Sequence, residues 1–280
     1  MLNDIFPNEP MFFSILMLVT IGIAVLIFII LFFITVGYGR HPNERWGPKI
    51  KTHWGWFLME FPTIGVMVAL FFISDKWKVN GGVHWTHLAF LFVWTLHYGH
   101  RVFIYPLQIR NGKKMPLTVV IMGILFNISN VYIQGRWIFT LSDMAFRNQF
   151  LFPITTAATE YTTSWLYSPQ FIIGVLFFLL GYYINKRSDV MLRTLRKESN
   201  GGGYKIPNGF LYDKISCPNY LGEIMEWIGW ALLTWSLAGL TFVLWTFANL
   251  FPRALSHHKW YKEEFEEYPE KRKAIIPFLL

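Results

Sequence analysis

The chain has 280 residues, of which 54% are hydrophobic, 19% aromatic and only 15% charged, and its net charge is +8. A soluble domain carries roughly 25% charged residues, and a chain this apolar does not stay disordered in water. A single cysteine, Cys217, excludes an internal disulfide framework and any site that needs several cysteine ligands. The apolar runs described next predict that the solvent of this chain is a lipid bilayer.

The first predicted element is a transmembrane helix at Met11–Gly37, a segment without any charged residue. About 20 apolar residues cross a bilayer, whereas a signal peptide has a shorter apolar core after a basic start. The preceding residues include Asp4 and Glu9 but no Lys or Arg. We therefore predict a helix that is retained in the membrane.

Five further apolar windows follow along the chain. The last of them, Leu221–Leu250, would be about 45 Å long as one helix. This is too long for one upright crossing, so we expect a break near Ser236–Gly239. The predicted fold is an all-α, polytopic membrane bundle of seven transmembrane helices (six without the break), with cytoplasmic loops covering a cofactor site and residues 1–280 in a single domain. The windows are Trp54–Ser74, Val83–Leu107, Leu117–Thr140, Ser168–Ile184 and Leu221–Leu250.

The loop charges predict the orientation, because basic loops stay on the cytoplasmic side. Residues 38–53, 101–114 and 185–214 and the C-terminal tail are basic, whereas residues 141–167 contain Arg147 as their only base. This pattern predicts an outside or lumenal N-terminus and a cytoplasmic C-terminus. The membrane would be the endoplasmic reticulum in a eukaryote and the inner membrane in a bacterium. Since the basic excess lies in these loops, no nucleic-acid partner is expected.

Five polar clusters lie in or beside the apolar windows, where ionisable residues are expensive and usually face a cavity or a partner. Structural explanations are helix packing for Glu60, an interfacial belt for His97–Arg101 and lipid contact for the basic stretch after Asn185. Helix capping explains Asn219 but not the whole run from Tyr204 to Trp227. No metal is expected, because neighbouring residues such as His257 and His258 do not share a helix face. No GxGxxG, GxxxxGK[ST] or HExxH motif occurs, so a nucleotide would bind against the bundle and its cytoplasmic loops. The clusters are Glu60 before Pro62, His97–Arg101, Asn185–Arg196, Tyr204–Trp227, and His257–Tyr261 with Tyr268 and the closing Arg272–Pro277.

The order of these motifs resembles the membrane-bound steroid 5α-reductases. The resemblance runs from about Trp54 to the end and is most family-like over residues 150–280. The motifs that carry it are Glu60-x-Pro62, His97-Tyr-x-His-Arg101, Asn185…Ser188-Asp189, Leu195-Arg-Lys197, Tyr204–Phe210, Asn219–Ala231 and Phe265–Phe278.

The resemblance implies an enzyme that uses NADPH to reduce the C4–C5 double bond of a 3-oxo-4-ene steroid of the testosterone or progesterone type. It implies that Glu60 and Tyr98 are catalytic and hydrogen-bond the C3 carbonyl, and that Trp227 helps to wall the steroid cavity. Trp56 and Met59 would also contact the substrate. The residues implied to line the cofactor are Arg101, Arg110, Asn185, Asp189, Arg196, Tyr204, Asn219, Glu223, His257 and Tyr261.

Four departures from the family pattern concern substrate preference and cofactor affinity more than the reaction type. Met59 stands where the family usually has Gln, and Gly99 replaces a bulkier aromatic residue. Lys205 replaces an Arg, and Asn200–Gly203 lengthens a loop near the cofactor.

The chemistry of a conjugated enone fits two of these roles. Hydride adds at C5, so negative charge develops on the C3 oxygen, and a donor aimed at that oxygen lowers the barrier. Tyr98 is the expected donor, and a protonated Glu60 would donate too or orient Tyr98. The source of the C4 proton stays open. We expect a monomer whose steroid enters from the surrounding lipid.

Three rival functions remain open at this point. The first is reduction of another lipid double bond, in a sterol, a polyprenol or an enoyl thioester. The second is a prenylcysteine-type methyltransferase that would bind S-adenosylmethionine. The third is a transporter or lipid-binding protein with broken helices. This function would not explain the ordered Asn, Asp, Arg and Tyr residues on the cytoplasmic side.

Overall fold

The computed structural model of the chain describes residues 8–33, 47–74, 78–79, 82–109, 114–142, 161–198 and 204–279. Arg110 and the Asn200–Gly203 loop lie outside the described residues. Each predicted apolar window contains helix, which confirms the all-α class. The helices are α1 (Glu9–Phe33), α2 (Thr52–Ile73), α3 (Trp85–Gly99), α4 (Tyr105–Gln108), α5 (Leu117–Arg136), α6 (Pro169–Glu198), α7 (Pro218–Thr234) and α8 (Leu237–Glu264).

The remaining elements are short. Two antiparallel pairs of two-residue strands join β1 (Lys49–Ile50) to β4 (Met115–Pro116) and β2 (Lys78–Val79) to β3 (Gly82–Val83). The 3₁₀ turns are Thr163–Tyr167 and Phe210–Asp213. Two π-helical segments, His100–Ile104 and Trp137–Leu141, follow α3 and α5.

Four helical segments are long and apolar enough to cross a membrane among the residues described. Large apolar side chains such as Leu26, Leu107 and Leu176 point outwards, as expected where lipid replaces water. The chain is therefore a membrane protein, and the count of seven crossings stays a prediction. The four segments are Glu9–Phe33, Thr52–Ile73, Leu117–Leu141 and Pro169–Lys197.

The break expected in the last apolar window is confirmed. Helix α7 ends at Thr234, Trp235 adopts a left-handed backbone with φ of 44°, and α8 begins at Leu237. A Cβ on Gly239 would lie 2.8 Å from the Cα of Ala231. The chain can therefore turn back closely at this point because residue 239 has no side chain.

Two helices extend further than their apolar windows. Helix α6 continues to Glu198, through residues that were expected to form a loop from 185 onwards, and α8 continues to Glu264. The apolar windows could not show this, because the last turns of each helix are polar. Several residues of the predicted cofactor set therefore lie on helices rather than in loops.

The described chain forms two compact units, and the prediction of one domain stays untested. The first unit contains Met1–Val19, Val36–Ser168 and Ser236–Ala238. Within it α2 packs on α5, where Gly135 leaves room for the side chains of Leu70 and Met67. Its buried core includes Met67, Phe71, Phe90, Trp94, Val131, Ile133 and Phe139.

The second unit contains Thr20–Thr35, Pro169–Trp235 and Gly239–Leu280, and its centre is the close packing of α6 on α7. Glycines spaced seven residues apart occur at the contact on both helices. A Cβ at any of them would lie within 2.5 Å of a backbone nitrogen of the other helix. Small residues are what allows helix backbones to approach so closely in a membrane. These glycines are Gly174, Gly181, Gly222 and Gly229.

Candidate active site

Glu60 lies buried in the first unit, where donors from two other segments surround its carboxylate. The Nε and Nη2 of Arg101 donate to Oε1 at 3.2 and 2.8 Å. The amide Nδ2 of Asn127 lies 3.4 Å from Oε2 and 2.7 Å from the carbonyl oxygen of Met59. Glu60 is 4% exposed, and its carboxylate accepts the two bonds from Arg101 and the longer one from Asn127. The structure thus pairs Glu60 with a cation, and its role as a donor to the substrate or as a residue that orients Tyr98 stays a prediction.

Arg101 was expected at the cofactor and is placed on Glu60 by the π-helical segment His100–Ile104. A π turn inserts an extra residue into the helical repeat and changes the direction of the following side chains. The guanidinium also lies over the Trp56 ring, 4.8 Å from its centroid, and Tyr105 packs edge-on against Trp56. Contact of Arg101 with a cofactor stays a prediction.

Tyr98 is buried on α3, and its ring packs 4.7 Å from the ring of Trp94. The indole Nε1 of Trp94 donates to the carbonyl oxygen of Thr63 at 2.9 Å. Thr63 is three residues after Glu60 on α2, and its own hydroxyl bonds to the Glu60 carbonyl at 2.6 Å. Trp94 therefore links the helix turn of Glu60 to the ring of Tyr98. Convergence of both side chains on one substrate oxygen stays a prediction.

Met59, the departure from the family pattern, packs against α5. A Cβ on Gly123 would lie 2.2 Å from the Met59 sulfur. The thioether therefore occupies the space that a side chain at residue 123 would need. Trp227, the other predicted steroid contact, is 1% exposed in the second unit, with the rings of Phe178 and Phe242 at 6.2 and 4.1 Å. Steroid contact stays a prediction for both residues.

Part of the predicted cofactor set is assembled in the second unit by the α6–α7 contact. The Asn185 amide donates to the carbonyl oxygen of Asn219 at 2.9 Å, and the Asn219 amide donates to Asp189 at 3.3 Å. A Cβ on Gly222 would lie 2.4 Å from the backbone nitrogen of Asn185. The glycine packing thus places Asn185, Asp189 and Asn219 side by side, with Glu223 one turn further along α7.

The other described members of this set lie on α6, α8 and the segment before the second 3₁₀ turn. The Nε2 of His257 is 3.2 Å from the Tyr220 hydroxyl, and Tyr204 packs its ring 5.1 Å from that of Trp260. Tyr261 is buried and stacks on Tyr268 with ring centroids 5.3 Å apart. Arg196 is exposed near the end of α6.

The second unit also has cationic groups suited to a phosphorylated cofactor. The Nη1 of Arg193 and the Nε of Arg253 are buried and have no hydrogen-bond partner in the described part of the chain. Arg193 lies one turn from Asp189, and Arg253 lies one turn from His257. Buried guanidinium nitrogens require an acceptor, and phosphate is a good match for the guanidinium fork. The residues present therefore fit a dinucleotide phosphate.

Sequence reasoning missed a hydrogen-bonded cluster around Ser216. Its hydroxyl lies 2.6 Å from both His258 Nδ1 and the Tyr268 hydroxyl, and 3.1 Å from the carbonyl oxygen of Lys273. Burial, with the nearby cations Lys262, Lys273 and Arg272, lowers the pKa of His258 to about 4. Burial raises the pKa of the Tyr268 hydroxyl. His258 is therefore neutral, and the cluster ties the chain before α7 to α8 and to the C-terminal segment.

Arg272 was also missed as a connecting residue. Its guanidinium donates to the Pro207 carbonyl and the Asn208 side chain, both at 3.1 Å, and lies over the Tyr268 ring. The sequence signal was its place in the closing motif next to Tyr268, but spacing alone did not give it a partner. Arg272 holds the segment that follows Tyr204.

A third missed feature is a buried ion pair between residues far from Glu60 in the sequence. Glu9 at the start of α1 accepts from Arg136 on α5 and from the Tyr132 hydroxyl at 2.9 Å. Arg136 also donates to Thr140. Each charged group is thus compensated, and the pair fixes the start of α1 within the first unit.

Metal ligands do not cluster in the described part of the chain, where no group of three or more His, Cys, Asp or Glu side chains could hold an ion. His84 and His87 lie close, with ring centroids 4.3 Å apart, and the Nε2 of His87 is 3.1 Å from the Ile138 carbonyl oxygen. In the described part of the chain, no third metal-ligating side chain lies with these two rings.

A family model and individual relatives of this chain indicate the same protein family. The family model described as 3-oxo-5-alpha-steroid 4-dehydrogenase matches residues 113–280. The steroid 5-alpha-reductase of Arabidopsis thaliana is 39% identical over 260 residues, which cover 90% of each chain. The tomato (Solanum lycopersicum) steroid 5-alpha-reductase is 38% identical over 281 residues, covering 98% of this chain and 99% of its own. Human 3-oxo-5-alpha-steroid 4-dehydrogenase 1 is 39% identical over 242 residues, covering 86% and 85%.

Proposed function

We propose a specific reaction from the premise that this chain belongs to the 3-oxo-5-alpha-steroid 4-dehydrogenase family and is an oxidoreductase. The reaction is reduction of the C4–C5 double bond of 3-oxo-4-ene steroids with NADPH. The relatives' names support steroid reduction; the cofactor and the testosterone or progesterone class are the finer part of the proposal. The observation that carries the site is the ion pair between the buried Glu60 and the partly exposed Arg101, on the same helix turn that Trp94 links to the ring of Tyr98.

The first unit would stabilise the charge that develops on the C3 oxygen. The Tyr98 hydroxyl donates to that oxygen. Because both oxygens of Glu60 already accept bonds from Arg101 and Asn127, Glu60 acts as an acceptor that orients a donor rather than as an acid. The cationic Arg101 beside it adds to the stabilisation of a developing anion in a dry site.

The second unit would hold the cofactor. NADPH, when bound, supplies the hydride that is added at C5, and the product also gains one proton at C4. Asn185, Asp189 and Asn219 offer an amide and carboxylate surface for its polar groups, with Glu223, His257, Tyr204 and Tyr261 completing the set. Arg196, Arg193 and Arg253 offer guanidinium groups for its phosphates. The N-terminus would lie outside and this unit's polar helix ends in the cytoplasm.

The test is turnover by the purified full chain in detergent with NADPH and either testosterone or progesterone. We expect absorbance at 340 nm to fall only when the steroid is present, and the product to have the 5α configuration. Loss of absorbance with a sterol, polyprenol or enoyl thioester instead would reassign the substrate. Methyl transfer from S-adenosylmethionine, without any NADPH oxidation, would reject the proposal.

Tyr98→Phe tests the donor directly. Removing one oxyanion donor costs roughly 10²–10³-fold in kcat in other enzymes, and we expect a similar loss with NADPH binding retained. Tyr167→Phe, at an exposed tyrosine of the same unit, is the control and should behave like the wild type. A Tyr98→Phe variant with unchanged kcat would remove Tyr98 from the mechanism.

A further inference from the structure

The helix turn that carries Glu60 has a weak backbone. Pro62 has no N–H, so the carbonyl of Leu58 loses its helical donor and the turn between them is loosened. The Nδ2 of Asn127 donates to the carbonyl oxygen of Met59 within this turn at 2.7 Å. A side chain from α5 therefore supports α2 at the residue next to Glu60.

The same amide nitrogen also faces the carboxylate. It lies 3.4 Å from Glu60 Oε2, while Arg101 occupies Oε1. Both neighbours of the amide nitrogen are oxygen acceptors, so neither a carboxylate nor an apolar side chain could replace it. Asn127 and Glu60 are 5% and 4% exposed, and a hydrogen bond is stronger in such a water-poor setting.

Helix α5 also fits closely against α2 one turn earlier. The Met59 sulfur occupies the space where a Cβ of Gly123 would lie, which brings the two helices together beside Asn127. The side chain and the carbonyl of Met59 are thus both held by α5. This close approach leaves the Asn127 amide little freedom to leave the carboxylate.

We propose that Asn127 is a positioning residue that fixes the direction of the Glu60 carboxylate. Arg101 holds one oxygen and Asn127 holds the other, so the plane of the carboxylate is set from two sides. The inference rests on the proposed function, in which Glu60 orients the donor to the C3 oxygen. Asn127 itself need not touch the steroid.

The experiment compares Asn127→Ala with Asn130→Ala in the full chain. Asn130 lies three residues later on α5 and is equally buried, but its side-chain partner is Gln134 rather than Glu60. We expect Asn127→Ala to lower kcat about tenfold, as loss of a hydrogen bond to a charged group does, with the Kd of NADPH unchanged. Asn130→Ala should keep the wild-type kcat.

A double-mutant cycle separates positioning from a merely structural effect. In a Glu60→Gln background the direction of a carboxylate no longer matters, so Asn127→Ala should then lower kcat much less. Equal losses in both backgrounds, or no loss in either, would overturn the proposal. Asn127→Leu, which fills the same space without an amide, gives the same comparison if the alanine variant does not accumulate.

Failure of the proposed function has a different signature. If the wild type reduces no 3-oxo-4-ene steroid, the proposed function is rejected, and the same cycle is read from the Tm values. Non-additive Tm shifts would then support a direct hold of Asn127 on Glu60, and additive shifts would overturn it.

Discussion

The two units hold their polar groups in different ways. Around Glu60, side chains from separate segments reach across helices and donate either to the carboxylate or to backbone carbonyls of α2. Around Asn185, helix backbones are in direct contact through glycines, and the side-chain bonds follow from that contact. The arrangement around Glu60 depends on individual polar side chains. The arrangement around Asn185 depends on glycines, which have no side chain.

The largest expected effect comes from Gly222→Ala, which breaks the backbone contact. The new Cβ would meet the Asn185 nitrogen at 2.4 Å, and overpacking costs typically 1–3 kcal/mol or more. We expect a clear fall in Tm together with loss of NADPH binding. Gly22→Ala, where nothing lies within 4 Å, should leave both unchanged, and equal behaviour of the two variants would contradict the packing role.

Arg101→Gln tests the arrangement built from side chains. It leaves the buried Glu60 carboxylate without its cation, but because the Arg101 side chain is 20% exposed, we expect the cost to stay below the roughly 3–5 kcal/mol of fully buried pairs and below that of Gly222→Ala. Thermal unfolding should show the loss, and the double variant with Glu60→Gln should recover much of it. If the double variant were as unstable as Arg101→Gln alone, the pair would not be the cause.

The Ser216 cluster adds a pH dependence to the second unit. His258 has a pKa of about 4 in the folded chain against a usual 6.5, so the unfolded chain binds the proton more strongly. Its contribution to stability is complete above about pH 6.5 and is lost as the pH falls towards 4. The Tm of the wild type should fall across this range, and that of His258→Asn should fall less. Parallel curves would exclude His258 as the titrating group.

Arg196→Ala is expected to have the smallest effect on the fold, because the side chain is exposed. If it binds a cofactor phosphate, the KM for NADPH rises about tenfold, as a lost charged hydrogen bond implies, while the Tm stays constant. Lys197→Ala, the neighbouring exposed cation, is the control. An unchanged KM would remove Arg196 from the cofactor site.

The sequence by itself determined the apolar windows, a break near Ser236–Gly239 and the family, because hydrophobic length and ordered motifs are local properties of the chain. The candidate residues Glu60, Asn185 and Asn219 could be recognised in the sequence because polar groups in apolar surroundings are energetically costly and usually face a partner or a cavity.

Only the tertiary structure decided their partners. The π turn that brings Arg101 to Glu60, the reach of Asn127 across to α2 and the Ser216 cluster each depend on which helices become neighbours. A helical repeat shows which residues share a face, but it does not show which face of another helix they meet. Partner choice in this protein is therefore a property of the packed helices.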